Sequence, residues 1–427
     1  MDADTMLERF SVITAGISYE GDIETFFSWL HEAGIPLLPE ERGDSFPVIG
    51  AGGALTYINP LALSAVCDFI VLGDALDVMK EIAGVIRAYG AHGDRKRLWT
   101  ELADLPSVLV PPVDLNNGKL RGKKKIDVSQ PLSADYPMCS AWVTPESAFG
   151  DTLLLELQRG CVRNCSYCTL PGCFGKMRQR KLPEIEAPLR SLLEKIEVEQ
   201  VGLVTPEAGD YYALDELLDL LQEEGKGVSF ASLRVDRLSE KMLEALTSSG
   251  RHSVTIAPET ANEELRFSFG KKFTDELIFE KLELARSFGV DQVKLYFMIG
   301  LPGEEDEDVA AIADFCRRIV ERTDQNLIVS VGPFVPKPGT VWQNETFLSQ
   351  AEIRKKYDIL GKEIRKFGRK APQLRLTSAK EAEREFQLAW AGYQESLLLA
   401  KNVENGKKTR FVGSSRNETL LELNCLY

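Results

Sequence analysis

Residues 152–173, TLLLELQRGCVRNCSYCTLPGC, place an apolar strand-length run directly before three cysteines, Cys161, Cys165 and Cys168, at the spacing C-x3-C-x2-C. The run TLLLELQ (152–158) reads as a buried strand. The cysteines follow at once, with the aromatic Tyr167 just before the last of them. Soft thiolates grouped in a tight loop suit an iron–sulfur cluster or zinc. A structural zinc site wants a fourth ligand of matching type nearby, and Cys173 could supply one. The aromatic and the position after a strand point toward the cluster.

Working outward from this stretch, five further apolar segments have strand length: 200–206, 228–235, 253–259, 292–300 and 326–335. Amphipathic helical segments such as LDELLDLLQEEG and DELIFEKLELARSFG separate them, each closed by a glycine. Six consecutive β–α units predict an α/β fold with a parallel barrel or part of one, whose chemistry sits at the C-terminal ends of its strands. Upstream, SVITAGIS (11–18), FPVIGAGG (46–53) and CDFIVLGD (67–74) read as strands alternating with helices, a smaller parallel sheet. The expected division is residues 1–105 for that domain, 106–150 for a Pro-, Gly- and Lys-rich linker or β-extension, 151–345 for the barrel and 346–427 for a helical extension.

Composition narrows the function classes. Hydrophobic residues make up 44% and charged residues 27%, a balance able to bury a sizeable core. The sequence has no run approaching the ~18 apolar residues of a membrane span. Its start, MDADTMLERF, lacks a signal-peptide pattern, so the expectation is a cytoplasmic protein. A net charge of −14 argues against a general nucleic-acid binder. Three of the eight cysteines fall within eight residues, a pattern of metal binding rather than disulfides. With three histidines in all, His31, His92 and His252, histidine-rich metal sites have little material.

The cysteine motif with its aromatic resembles the radical S-adenosylmethionine (SAM) superfamily. The resemblance implies a [4Fe–4S] cluster on Cys161, Cys165 and Cys168, with one iron left to chelate SAM, and an electron donor such as ferredoxin or flavodoxin. It implies further contacts at the strand ends. Glu207 in TPEAGD stands where the superfamily carries a turn that meets the SAM amino group. Ser232 and Arg234 in SLRVD fall near the barrel mouth, Arg234 as a partner for a carboxylate or as a structural ion pair. Glu259 in APET is a candidate for the SAM ribose or a substrate, and Gly300, Pro302 and Gly303 in MIGLPGE could bring backbone close to an adenine.

The segments SLRVD, APET, KLYFMIGLPGE and FVPKPGT, in this order, resemble the subgroup with an N-terminal cobalamin-binding domain. The N-terminal strands look like the second half of that Rossmann-like domain. The first half and an Asp-x-His-x-x-Gly motif are missing from the pattern, so cobalamin stays an open cofactor. The implied function is SAM-dependent radical modification of an unidentified substrate, with methyl transfer as the family-weighted outcome. Cobalamin-independent sulfur insertion, rearrangement or oxidation is the alternative, and a non-catalytic cluster scaffold a third reading. Among smaller features, Cys173 reads as a packed loop cysteine or a thiol at the site, Arg178 and Arg180 as anion contacts or solvated charges, and Lys337 and Trp342 as residues of a substrate entrance, with Trp342 alternatively an anchor for the C-terminal helices. The basic run 118–125 and the basic helix after 350 read as solvated faces rather than RNA contacts.

Overall fold

The computed structural model describes residues 9–90, 93–116, 118–121, 132, 138–231, 233–409 and 411. Ser232, residues 122–125 of the basic run, His92 and Cys425 lie outside these described residues. The chain forms two compact units: Met1–Gln130 with Val335–Asn344 and Glu383–Tyr427, and Pro131–Phe334 with Glu345–Ala382. Residues 346–427 are thus shared between the two units.

In the first unit, β1 (Val12–Gly16), β2 (Val48–Gly52) and β3 (Phe69–Val71) are parallel and adjacent, and β4 (Val108–Leu109) joins β3 antiparallel. Gly50 lets β2 lie against β3, because a Cβ there would come 2.3 Å from the Phe69 ring. The helix Asp22–Glu32 buries Ile23, Phe26, Phe27 and Leu30, the apolar stripe expected of a helix covering a sheet. Within an apolar core of Val48, Phe69, Val71, Ile82, Leu98 and Leu102, this unit also buries a charged network. Asp68 is fully buried and accepts from Arg42, Arg95, the Trp99 indole and the Ile49 amide. The returning segments are pinned by hydrogen bonds. Asn59 donates to the carbonyls of Leu388, Ala389 and Ala391, and Lys337 sits 2.8 Å from both Glu20 and Glu385. Lys337 is therefore engaged in an ion triad within this unit.

The second unit holds the six strands read from the sequence: β5 (Thr152–Glu156), β6 (Gln200–Val204), β7 (Gly227–Phe230), β8 (Ser253–Glu259), β9 (Gln292–Ile299) and β10 (Asn326–Pro333). All neighbouring pairs are parallel, the arrangement of a partial (β/α) barrel. Hydrogen bonding among the described residues runs β7-β6-β5 in one sheet and β8-β9-β10 in a second. Two details differ from the sequence reading. The third strand ends at Phe230, and the expected strand residues near 235 form a 3₁₀ turn, Val235–Arg237. A seventh strand, β11 (Gln373–Leu376), pairs in parallel with β10 inside the stretch expected to be helical. Its four residues, QLRL, are too short and too polar to announce a strand.

Side-chain alternation sorts each strand into an outer and a lumen face. Val293, Leu295, Phe297 and Ile299 of β9 are buried in one core cluster with Ile278, Phe279, Ile312 and Phe315 of the covering helices. The opposite face of β9 carries Lys294, Tyr296 and Met298, none of them buried.

Candidate metal centre

The three cysteines lie in the loop that leaves β5, and the backbone fixes that loop before any metal arrives. Gln158–Arg159 pairs antiparallel with Arg178–Gln179, forming a small hairpin around the loop. Gly160 has φ +76°, and a Cβ there would sit 2.9 Å from the carbonyls of Gly175 and Lys176, so only glycine lets the two limbs close. The Cys168 amide donates to the Cys165 carbonyl at 2.9 Å, folding the second half of the motif into a turn. The Arg163 amide donates to Cys161 Sγ at 3.4 Å, the kind of N–H contact that tunes cluster sulfur ligands.

A second segment braces the loop from β8. The Ser166 amide donates to the Phe269 carbonyl at 3.0 Å, and the Tyr167 and Phe269 rings meet edge to face at 5.6 Å. Glu259 ends β8 at φ +68°, a left-handed conformation that an ordinary side chain avoids. Its Oε1 accepts from Lys271 Nζ at 2.6 Å and from the Tyr167 hydroxyl at 2.8 Å. Lys271 also donates to the Ala257 carbonyl at 2.6 Å. Burial and the neighbouring Glu259 carboxylate hold the Tyr167 phenol well above its usual range, so it stays a donor. The structure thereby brings Glu259 to the cysteine loop. It also shows Lys271, which the sequence reading did not single out. Nothing in the pair Lys271-Lys272 marks the first as the buried one, yet Lys271 is buried and Lys272 exposed.

On the β6 side, Arg163 makes a two-pronged ion pair with Asp210, and Arg237 reaches the same carboxylate at 3.1 Å. Gln179 bridges the Asp210 carbonyl and Gln158, and Gln158 donates to the Glu207 carbonyl. Glu207 is 2% exposed. Its Oε1 accepts from the Gly209 amide, while Oε2 is buried with no hydrogen-bond partner. Burial raises its carboxyl to about 7, against the pull of the Gly209 amide. A buried, half-satisfied carboxylate is an incomplete site that a cationic group would complete.

The remaining residues fall as follows. Arg234 pairs with Asp236 at 2.9 Å and lies over the Phe273 ring at 5.2 Å. Gly300 has φ +79°, and its amide donates to Glu304 Oε1, which Lys356 holds at 2.9 Å. Pro302 follows in the same turn. Cys173 is buried in the short helix Leu170–Phe174. Arg180 reaches Glu156 at 3.1 Å.

The donor set fits an iron–sulfur cluster. Three thiols stand in one braced loop, and a main-chain amide already points at one sulfur. Burial raises Cys165, and raises Cys168 to about 11; Lys271 opposes the rise at Cys165, and the Leu170 amide with a smaller pull from Lys271 opposes it at Cys168. Among the described residues, the three cysteines included, no three His, Cys, Asp or Glu side chains are already gathered as they would be around a single metal ion, so the fit rests on the chemistry of the loop's donors. None of the described helices is long and apolar enough to cross a membrane.

Comparison with known proteins agrees with this arrangement. Residues 155–316 match the Radical SAM superfamily model, and residues 1–111 match the model for the N-terminal part of radical SAM proteins. An uncharacterized protein, MJ0966 of Methanocaldococcus jannaschii, is 34% identical over 55% of this chain and 51% of its own. The ribosomal protein uS12 methylthiotransferase RimO of Petrotoga mobilis is 24% identical over 73% of each. Among solved structures, the radical SAM methyltransferase TsrM of Kitasatospora setae superposes with a TM-score of 0.53 at 15% identity, covering 80% of this chain and 65% of that one. The chain thus spans about half the length of the first of these relatives. With its cysteine motif at the mouth of a partial barrel and both matching segments in order, the chain carries a radical SAM superfamily domain and the N-terminal segment of radical SAM proteins, a superfamily whose cofactors are a [4Fe–4S] cluster and SAM.

Proposed function

We propose that this protein holds a [4Fe–4S] cluster through Cys161, Cys165 and Cys168 and cleaves SAM reductively to modify a substrate inside the barrel. One observation carries the reading: the motif sits in a doubly braced loop beside Glu207, a buried carboxylate with an unsatisfied oxygen. When bound, the cluster supplies the electron that opens SAM to methionine and a 5′-deoxyadenosyl radical able to abstract hydrogen from the substrate.

This chain's residues do the holding. Glu207 Oε2 takes the SAM amino group, completing the carboxylate's hydrogen bonding. Tyr167 keeps its proton on Glu259, and Glu259 in turn fixes Lys271 beside the thiols. Gly300 serves its own turn rather than an adenine: its amide is taken by Glu304, and the Leu348 side chain lies 2.6 Å from where a Cβ would stand, which leaves Pro302 as the residue of this turn assigned to SAM. Arg234 shapes the mouth through Asp236. A small one-electron donor of the ferredoxin or flavodoxin kind would serve as reductant.

No step is drawn through cobalamin. TsrM is described with cobalamin bound, a property of that protein. The one described histidine of the first unit here, His31, is exposed at a helix end. Gly53 at the end of β2 is already filled by the Ile17 backbone, 2.7 Å from where a Cβ would lie. The products decide the outcome. Anaerobically reconstituted, reduced protein mixed with SAM should release 5′-deoxyadenosine. S-adenosylhomocysteine in addition, with hydroxocobalamin retained after desalting, would mark methyl transfer, and its absence would mark cobalamin-independent radical chemistry. Formation of neither product is the result that overturns the reading.

A further inference from the structure

The lumen face of the second unit carries positive charge that the protein itself does not neutralise. Register places Thr255, Lys294, Ile328 and Gln373 in one row across β8–β11, and Tyr296, Ser330 and Arg375 in another. Tyr296 is 46% exposed although it stands mid-strand, so this face is open. The other charged groups near this face are already spent. Glu156 is held by Arg159 and Arg180, Glu259 by Lys271, and Arg234 by Asp236. Lys294 and Arg375 make no ion pair or hydrogen bond among the described residues.

Resting on the function proposed above, we infer that this lumen selects a substrate bearing an oxyanion, a carboxylate or phosphate, held by Lys294 and Arg375 with the hydroxyls of Tyr296 and Ser330. Strands β9 and β11 are two ladder spacings apart, roughly 10 Å. The four-carbon Lys stem and the forked Arg side chain can converge on one anion from its two sides across that gap. Ser330 lies between Tyr296 and Arg375 in the register, with Lys294 one row toward the strand starts on the same face, and both hydroxyls can donate. Lysine and arginine can only donate, so this set recognises an acceptor-rich group and leaves a neutral amide poorly served. The apolar body of the ligand finds the Tyr296 ring and Met298 on the same face.

The test is calorimetric titration of the reconstituted protein with phenylacetate, phenyl phosphate and the neutral control phenylacetamide. The acids should bind at least about tenfold more tightly than the amide. Whichever acid wins identifies the oxyanion. The preference should fall to about threefold or less in Lys294→Gln/Arg375→Gln and persist in the charge-keeping Lys294→Arg/Arg375→Lys. Equal affinity for acid and amide, no saturable acid binding, or a preference unchanged in the Gln pair would overturn the inference. SAM cleavage by the wild-type protein is scored separately. Cleavage without an acid preference sinks this inference alone, and an acid preference without cleavage sinks the radical SAM reading alone.

Discussion

The brace between β8 and the cysteine loop can be weighed by a double-mutant cycle on Lys271 and Glu259. The two charged atoms are 2.6 Å apart, and their side chains are only 9% and 12% exposed. Removing one partner of such a pair strands a buried charge, which typically costs about 3–5 kcal/mol. Lys271→Met leaves the Glu259 carboxylate with the Tyr167 hydroxyl as its remaining donor, so a loss near the lower end, about 3 kcal/mol, is expected. Glu259→Gln leaves the ammonium with the Ala257 carbonyl and a neutral amide oxygen, for a loss of about 2 kcal/mol. The double variant strands no charge and should lose only about 3 kcal/mol in all, a coupling near 2 kcal/mol. Urea unfolding of the metal-free protein gives the midpoints, and hydrogen exchange at the β8 amides assigns them to the second unit, because two units need not unfold together. Additive single effects, with coupling under about 0.5 kcal/mol, would show that the pair is not what holds the strained end of β8.

Two further predictions concern charge in other places. Glu207 has its folded carboxyl raised from 4.5 to about 7. It is protonated in both states below pH 4.5, so stability is fully present there and drains as pH rises through 7, by up to about 3 kcal/mol. The difference in unfolding free energy between Glu207→Gln and wild type should therefore grow in the variant's favour from pH 5 to pH 8, and a flat difference would contradict the assignment. In the first unit, Asp68→Asn leaves the buried guanidiniums of Arg42 and Arg95 without a counter-charge. A loss of about 3–5 kcal/mol is expected in thermal or urea unfolding, and a loss below about 1 kcal/mol would refute the role given to Asp68.

The parts of this protein that were legible in its sequence are those whose signal is local. The cysteine spacing is read within eight residues, and the apolar runs of β5 to β10 are bounded by glycine and polar helix starts. Where the signal is tertiary, it was silent. The stretch VSFASLRV is apolar enough for eight strand residues, but the chain leaves the sheet after Phe230 and turns at Val235–Arg237. QLRL becomes β11 because β10 offers it an open edge, which four residues cannot disclose. Lys337, read as a candidate for the substrate entrance, closes an ion triad with Glu20 and Glu385, partners 317 and 48 positions away that no spacing rule connects. Lys271 joins Glu259 because the chain turns back after Phe269 to lay its carbonyl on Ser166. Ser232, expected among the SAM contacts, lies outside the described residues.

The central claim is that Cys161, Cys165 and Cys168 hold a SAM-cleaving cluster. Its most direct test is to reconstitute wild type and Cys165→Ala side by side without oxygen, count iron per chain, record the reduced electron paramagnetic resonance spectrum with and without SAM, and quantify 5′-deoxyadenosine. Wild type should carry a four-iron cluster whose spectrum changes on adding SAM and should form the nucleoside. The variant should lose the SAM-responsive signal and the product together. A Cys165→Ala protein that kept a full cluster and still cleaved SAM would contradict the assignment.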